Sequence, residues 1–213
     1  NAVSALGYVG GEMALDLLEK TLADQDPNVR SGAIFALRQV GGEKALALLQ
    51  KALAHQDPDV RSGAVSALGD VGGEKVLALL EKALAHQNPE MRSSAVSALG
   101  DVGGEMALAL LEKTLSDQDL NVRCGAVSAL GQMGGDKALA LIEKAVADHD
   151  PEVRCGAVSA LGQVGCAKAL ALLEKALADQ DRKGRYSAAL ALGQVGGEKA
   201  LALIEKALAD LDP

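Results

Sequence analysis

Residues 57–71 carry apolar side chains at Val60, Ala64, Ala67, Leu68 and Val71. Their separations of four, three, one and three keep them on one face of a 3.6-residue period, which predicts an amphipathic α-helix. Asp57 precedes it as an N-cap, Pro58 suits the first helical position, and Asp59 sits where the positive helix end favours an acid. Gly72-Gly73 ends the helix, because glycine accepts the left-handed backbone that a helix terminus adopts. A second stripe, Val76, Leu77, Leu80, Ala83 and Leu84, predicts another helix from about Glu74 to about His86. Glu74, Lys75, Glu81 and Lys82 then face water. Neither stripe is buried by one hairpin alone, so hairpins must stack.

The hairpin recurs. Residues 57–87 and 150–180 are identical at 24 of 31 positions. The marker Asp-Pro-x-Val-Arg, or a variant of it, opens units at Asp26, Asp57, Asn88, Asp119, Asp150 and Asp181. Asn1 falls inside a unit and Asp212-Pro213 opens another, so partial units stand at both ends and a longer array is expected. A fixed period of this length predicts one all-α array over residues 1–213, in which each unit touches only its neighbours.

Composition removes several functions. A net charge of -8 argues against a nucleic-acid surface, which needs clustered Lys and Arg. No apolar run approaches the ~18 residues of a membrane span. The aromatic residues are Tyr8, Phe35 and Tyr186, so the core is built from Ala, Leu, Val and Ile. Cys124 and Cys155 hold the same position in successive units, where helices lie roughly 8–10 Å apart, beyond the reach of a disulfide. Cys166 replaces a turn glycine. With no C-x-x-C pair, these read as free thiols in a reducing, cytoplasmic setting.

The string D-P-x-V-R-x-x-A-x-x-A-L-G-x-V-G, followed by A-L-x-x-L-x-x-A-L, resembles the short HEAT-like repeats first associated with phycobilin lyases. It is similar also to artificial repeat proteins built on that consensus. The resemblance covers essentially the whole chain. It implies a right-handed α-solenoid of about seven 31-residue helical hairpins, with the Val-Arg helix on the concave side and its partner on the convex side. It implies protein recognition more than catalysis.

Departures from the repeat then carry the functional information. A helical wheel of residues 57–71 places Asp59, Ser62, Ser66, Gly69 and Asp70 on the solvent arc. The Ser66 column reads Ser4, Phe35, Ser66, Ser97, Ser128, Ser159, Leu190, and the Ser62 column ends in Cys124, Cys155 and Tyr186. The Gly69 column is glycine except at Arg38, and the Asp70 column reads Tyr8, Gln39, Asp70, Asp101, Gln132, Gln163, Gln194. Tyr8, Phe35 and Arg38 should cluster near one end, and Tyr186 and Leu190 share a helix face near the other. Aromatics and arginine anchor protein interfaces, so these residues, with Asp70 and Asp101, are the candidate contact set. Gap-filling in an irregular first unit is the structural alternative.

Unit six is the least regular. Gly184 stands at the Val60 position, and Arg182, Lys183 and Arg185 crowd a helix start whose dipole disfavours cations. Either a contact site for an acidic partner or drift at a weak point would produce this. The column Arg30, Arg61, Arg92, Arg123, Arg154 and Arg185 reads as a structural ladder. In related repeats this arginine pairs with an acidic residue of the inter-helix turn, and the residues six upstream are Asp24, His55, His86, Asp117, Asp148 and Asp179. His55 and His86 are too widely spaced for a shared metal, and His149 lies out of phase.

Catalytic signatures are missing from the sequence: no His-Glu pair of the HEAT-repeat di-iron hydroxylases, no G-x-S-x-G and no phosphate loop. The basic, aromatic groove that HEAT-like DNA glycosylases require is also absent. No cofactor is expected. The reading is a non-catalytic scaffold that binds a protein or peptide on its concave face. The alternatives are a bilin lyase or isomerase subunit, implied by the family alone, and an architectural spacer in a larger protein. Uncapped end units would also permit end-to-end self-association.

Overall fold

The structure, a computed structural model, describes residues 2–179 and 181–209, with the side chains of residues 208 and 209 left aside. These residues form fourteen helices and no strand. They are α1 (Ala2–Val9), α2 (Gly11–Thr21), α3 (Pro27–Val40), α4 (Gly42–Ala52), α5 (Pro58–Val71), α6 (Glu74–Leu84) and α7 (Pro89–Val102). Then follow α8 (Gly104–Thr114), α9 (Leu120–Met133), α10 (Gly135–Ala145), α11 (Pro151–Val164), α12 (Ala167–Leu177), α13 (Arg182–Val195) and α14 (Gly197–Ala209). They make an all-α solenoid of helical hairpins. Two compact units divide the chain at residues 107 and 108, within α8, and each is described by itself.

Each odd-numbered helix from α3 to α13 begins as its sequence requires. The side chain of the N-cap residue, Asp26, Asp57, Asn88, Asp119, Asp150 or Asp181, accepts a hydrogen bond from the backbone N–H two residues on. Such a cap stabilises a helix by about 1 kcal/mol. Each ends on a glycine with φ near +60°, where a side chain would be strained. The second helix of the 57–87 hairpin ends two residues earlier than predicted. α6 stops at Leu84, because His86 belongs to the next turn: its Nδ1 accepts from Asn88 N–H at 3.1 Å.

In the first unit α1, α3, α5 and α7 pack in succession, and in the second α9, α11 and α13 do so. Fully buried leucines form the centre: Leu18, Leu37, Leu49, Leu68, Leu80 and Leu99 in the first, Leu111, Leu130, Leu139, Leu161 and Leu173 with Ile142 in the second. The contact between successive first helices is unusually close. A Cβ on Gly69 would lie 2.9 Å from Ala98 Cα, one on Gly131 3.0 Å from Ala160 Cβ, and one on Gly162 2.9 Å from Ala191 Cβ. This corrects the solvent-facing placement of the Gly69 column. These glycines line the helix–helix seam, where only hydrogen fits between the backbones.

The arginine column adds backbone acceptors to the expected carboxylate pairing. Nη1 of Arg30, Arg61, Arg92 and Arg154 donates to two backbone carbonyls, those of the residues six and five upstream, at 2.7–3.2 Å. Arg123 reaches the Asp117 and Gln118 carbonyls, and Arg185 the Asp179 carbonyl. The residue six upstream uses its side chain otherwise, as an acceptor for the backbone N–H two residues on: Asp24 for Asp26, His55 for Asp57, Asp148 for Asp150. Histidine substitutes for aspartate there because a neutral Nδ1 is also an acceptor. Nη2 then reaches the next unit: Arg30 pairs with the Asp57 carboxylate, and Arg154 with that of Asp181 at 3.4 Å. One guanidinium thus closes its own turn and holds the following N-cap.

Outside the core, lysines of one second helix pair with acids of the one before. Lys51–Glu19 (2.6 Å) and Lys75–Glu43 (2.6 Å) do so in the first unit, Lys144–Glu112 (2.7 Å) and Lys206–Glu174 (3.0 Å) in the second. Exposed pairs of this kind contribute at most about 1 kcal/mol each.

The seam gives one substitution opposite signs at two positions. Gly69→Ala drives a methyl into Ala98 and is expected to cost about 1–3 kcal/mol, more than the ~1 kcal/mol gained in helix propensity. Gly193→Ala has nothing within 4 Å of its new methyl and should stabilise by up to ~1 kcal/mol. Urea midpoints of both variants in dilute solution check this, and equal shifts would refute the seam.

Asp57 gives a pH dependence. The hydrogen bond from Arg30, and next that from the Asp59 backbone N–H, hold its carboxyl below the usual carboxylate range. A carboxyl depressed by folding stabilises above its unfolded value of about 3.9, and that stability is lost as pH falls through the lower folded value. Asp57→Asn keeps the cap, as Asn88 shows, and removes only the charge. It should therefore be less stable than wild type at neutral pH, the gap narrowing as pH falls below the unfolded carboxylate value and closing once the depressed folded carboxyl is protonated too. Denaturant midpoints measured from neutral pH downward test this; a gap that stays constant would contradict it.

Candidate functional site

The exposed face of the first helices is mostly small and polar. Ser66 Oγ donates to the Ser62 carbonyl at 3.1 Å, so this hydroxyl is partly occupied by its own helix. Ser97 and Ser128 are exposed at the same position, as are Gln132, Gln163 and Gln194 four residues further along their own helices. Against this track the large departures stand out to solvent. Tyr8 is 79% exposed, Phe35 41%, Tyr186 66% and Leu190 52%.

In the first unit Phe35 and Arg38 meet on α3. The Arg38 guanidinium lies 5.3 Å from the Phe35 ring centroid, within cation–π range. Its Nη1 also donates to Asp70 Oδ2 on α5 at 2.8 Å. Arg38 is therefore braced between an aromatic ring and a carboxylate of the next hairpin. Asp70 is engaged in that pair, whereas Asp101 is exposed on α7. Tyr8 projects from the last turn of α1. The sequence pattern could not show that Arg38 would be held by Asp70, because its position in the glycine column says nothing of its direction.

In the second unit Tyr186 and Leu190 lie one turn apart on α13, both exposed. Arg182 and Lys183 are exposed at the helix start, while Gly184 is buried against Asp179, whose Cγ would lie 3.1 Å from a Cβ there. A cavity of about 740 Å³ opens between α12, α13 and α14, walled by Leu177, Tyr186, Ala189, Leu203, Ile204 and Ala207. Two of these are departures: Tyr186 replaces Ser or Cys, and Ala189 replaces Val or Ile of every other unit. The loss of bulk at Ala189 was legible in the sequence but pointed to no cavity until the helices were placed.

Titratable chemistry is sparse. Burial, and next the acidic groups of the following hairpin, push the Cys124 thiol up. Cys124, Cys155 and Cys166 are all free, and Cys166 caps α12, its Sγ accepting from Ala169 N–H at 3.4 Å. Among the described residues no group of three or more His, Cys, Asp or Glu side chains is placed to share a metal ion. Nor is any described helix long and apolar enough to cross a membrane.

The family model for HEAT repeats matches residues 1–57, 15–89, 79–154 and 139–213. No curated protein matches the chain by sequence. Among solved structures, YibA of Escherichia coli is 19% identical, with 99% of this chain and 81% of that one covered and a TM-score of 0.61. A designed armadillo repeat protein in complex with the peptide (KR)4 is 23% identical over 85% of this chain and 99% of its own, with a TM-score of 0.51. The complex of CpcE and CpcF of phycocyanin lyase from a Nostoc species is 23% identical over 99% of this chain and 87% of that one, with a TM-score of 0.49. At these identities the likeness concerns the fold. The family matches span the whole chain, and it belongs to the HEAT-repeat proteins.

Proposed function

We propose that this chain is a non-catalytic scaffold that binds a protein or peptide segment on the exposed face of its first helices, the side that the repeat resemblance makes concave. The observation that supports this is the contrast on that face. Small residues and glutamines allow close approach of a partner backbone, while Tyr8 and Phe35 in the first unit, and Tyr186 and Leu190 in the second, stand exposed where the repeat calls for a small or polar residue. Aromatic anchors of this kind supply most of the energy of an interface when a partner desolvates them. Arg38 serves here as a brace: bound to Asp70 and lying over Phe35, it restricts the ring's rotamers and so reduces the ordering cost of binding. Asp101 would meet a donor from the partner. Acting as one array over residues 1–213, the chain would read an extended segment unit by unit.

The test is selection of peptides from a displayed random library on the wild-type chain, followed by affinity measurement on variants. Phe35→Ser and Tyr8→Gln restore the residues of neighbouring units, so folding is preserved. Each should weaken binding about tenfold or more, a loss of ~1.4 kcal/mol or greater, as removal of an anchor does. Selected peptides that bind all variants equally would show that the exposed aromatics are not the anchors.

A further inference from the structure

Arg182, Tyr186 and Leu190 stand four residues apart in sequence, so they form one line down the exposed side of α13. That line is about 12 Å long, and Lys183 lies beside its start. On α11 the same positions hold Pro151, Glu152, Cys155 and Ser159. The departures of α13 therefore add charge and bulk to one face. Their exposure belongs to that face of a first helix, whatever follows it in the chain. Helices α3, α5 and α11 each pack between two other first helices. Even so, Asn28, Asp59 and Glu152 are exposed at the Lys183 position, as are Phe35 and Ser66 at the Leu190 position.

The packed side of α13 keeps the pattern of the repeat. Ala188, Ala191 and Leu192 are at most 2% exposed. Lys183 N–H donates to Asp181 Oδ1 at 2.9 Å, Asp181 N–H to Asp179 Oδ1 at 2.8 Å, and Arg185 Nη1 to the Asp179 carbonyl at 2.8 Å. Gly184 is compensated too, because Asp179 lies where a side chain would stand. Drift at a weak point would have loosened these contacts, and they are intact. The charge, by contrast, is unanswered within the chain. In the second unit Lys144, Lys168 and Lys206 pair with Glu112, Glu143 and Glu174, and Arg154 with Asp181. Arg182 and Lys183 have no ionic partner among the described residues, at a helix start that disfavours cations. The chain is acidic overall, but at physiological salt each exposed charge is screened beyond about 8 Å. A ligand touching this stripe therefore meets its two cations.

We propose that the stripe binds an acidic–apolar segment of a partner protein. An Asp or Glu sets its carboxylate against Arg182 and Lys183, and a bulky apolar residue seats on Tyr186 and Leu190. In an extended chain the two lie about three to four residues apart. The carboxylate can take the Arg182 guanidinium in bidentate form and offsets the misplaced charge at the helix start. Tyr186 and Leu190 supply the apolar anchor. This rests on the scaffold reading above and gives the second unit a specificity of its own.

Two double variants restore residues that other units carry: Arg182→Pro with Lys183→Glu, and Tyr186→Ser with Leu190→Ser. Circular dichroism confirms their folding, and the first should have a urea midpoint no lower than wild type, since proline and an acid suit a helix start. Displayed random peptides of ~12 residues, long enough to span the stripe, are selected on the full wild-type chain. Labelled copies are then titrated against each variant. One class of selected peptides should carry Asp or Glu close to a bulky apolar residue. Both double variants should weaken that class about tenfold or more, while Phe35→Ser and Tyr8→Gln leave it unchanged. Raising NaCl from about 50 to about 500 mM should weaken its binding to wild type several-fold and to the cation variant little. Selected peptides that need Phe35 or Tyr8, show no acidic enrichment and bind both α13 variants like wild type would overturn this proposal alone. A wild-type chain that selects no peptide would overturn the scaffold reading with it. Phosphatidylserine vesicles that bind wild type but not the cation variant, with no acidic peptide selected, would assign the stripe to a lipid surface and overturn it as well.

Discussion

The close approach of successive first helices is the constraint on which the rest of this fold depends. With one phenylalanine, two tyrosines and no tryptophan, the chain has few large side chains to bridge widely spaced helices. It brings backbones together instead, glycine against alanine, and fills the remaining space with leucine. Ala33, Ala64, Ala95, Ala126, Ala157 and Ala188 are all fully buried, and the seam glycines admit no Cβ. Each seam contributes many short dispersion contacts of about 0.1–0.2 kcal/mol, and a single methyl in the wrong place separates the helices that make them. The identity of the repeats follows from this, because each unit must fit both neighbours.

The arginine column solves the second problem, that of the turns. A hairpin stack buries helix faces but leaves backbone carbonyls between units, and buried carbonyls need donors. Nη1 supplies two hydrogen bonds to the turn behind, while Nη2 reaches the cap ahead, so one planar side chain sets both the exit of one unit and the entry of the next. Lysine could not do this, since its ammonium lacks the fixed fork of donors. Where His55 and His86 replace aspartate, the same backbone N–H is still accepted, which accounts for these histidines at that position of the repeat.

The fold was legible in the sequence to the level of the helix. The Asp-Pro cap, the apolar period and the glycine pair each act within a few residues, so local pattern places α5 correctly and overruns α6 by two residues at His86. The Gly69 column was misplaced for a different reason. A wheel shows only which side of a helix a residue occupies, and the boundary between solvent and seam depends on how near the next helix comes. That distance is set by the glycine itself. The arginine column pairs with carboxylates of the next unit at Arg30, Arg123 and Arg154, but its additional backbone acceptors could not be read from a sequence, which marks side chains only.

The candidate site was legible as departures, and the structure divides those departures by what each is held against. Arg38 interrupts the seam column, yet its guanidinium turns out toward Phe35 and Asp70 and gives the first unit a stiffened aromatic edge. Gly184 and Ala189 remove bulk, one buried against Asp179 and the other opening onto a cavity. Tyr186 and Leu190 add bulk on the same helix, facing solvent. Core positions tolerate such changes poorly, because two neighbours share each one. The exposed face has no such constraint, and it is there that a chain of near-identical units can carry a recognition sequence without disturbing the stack that displays it.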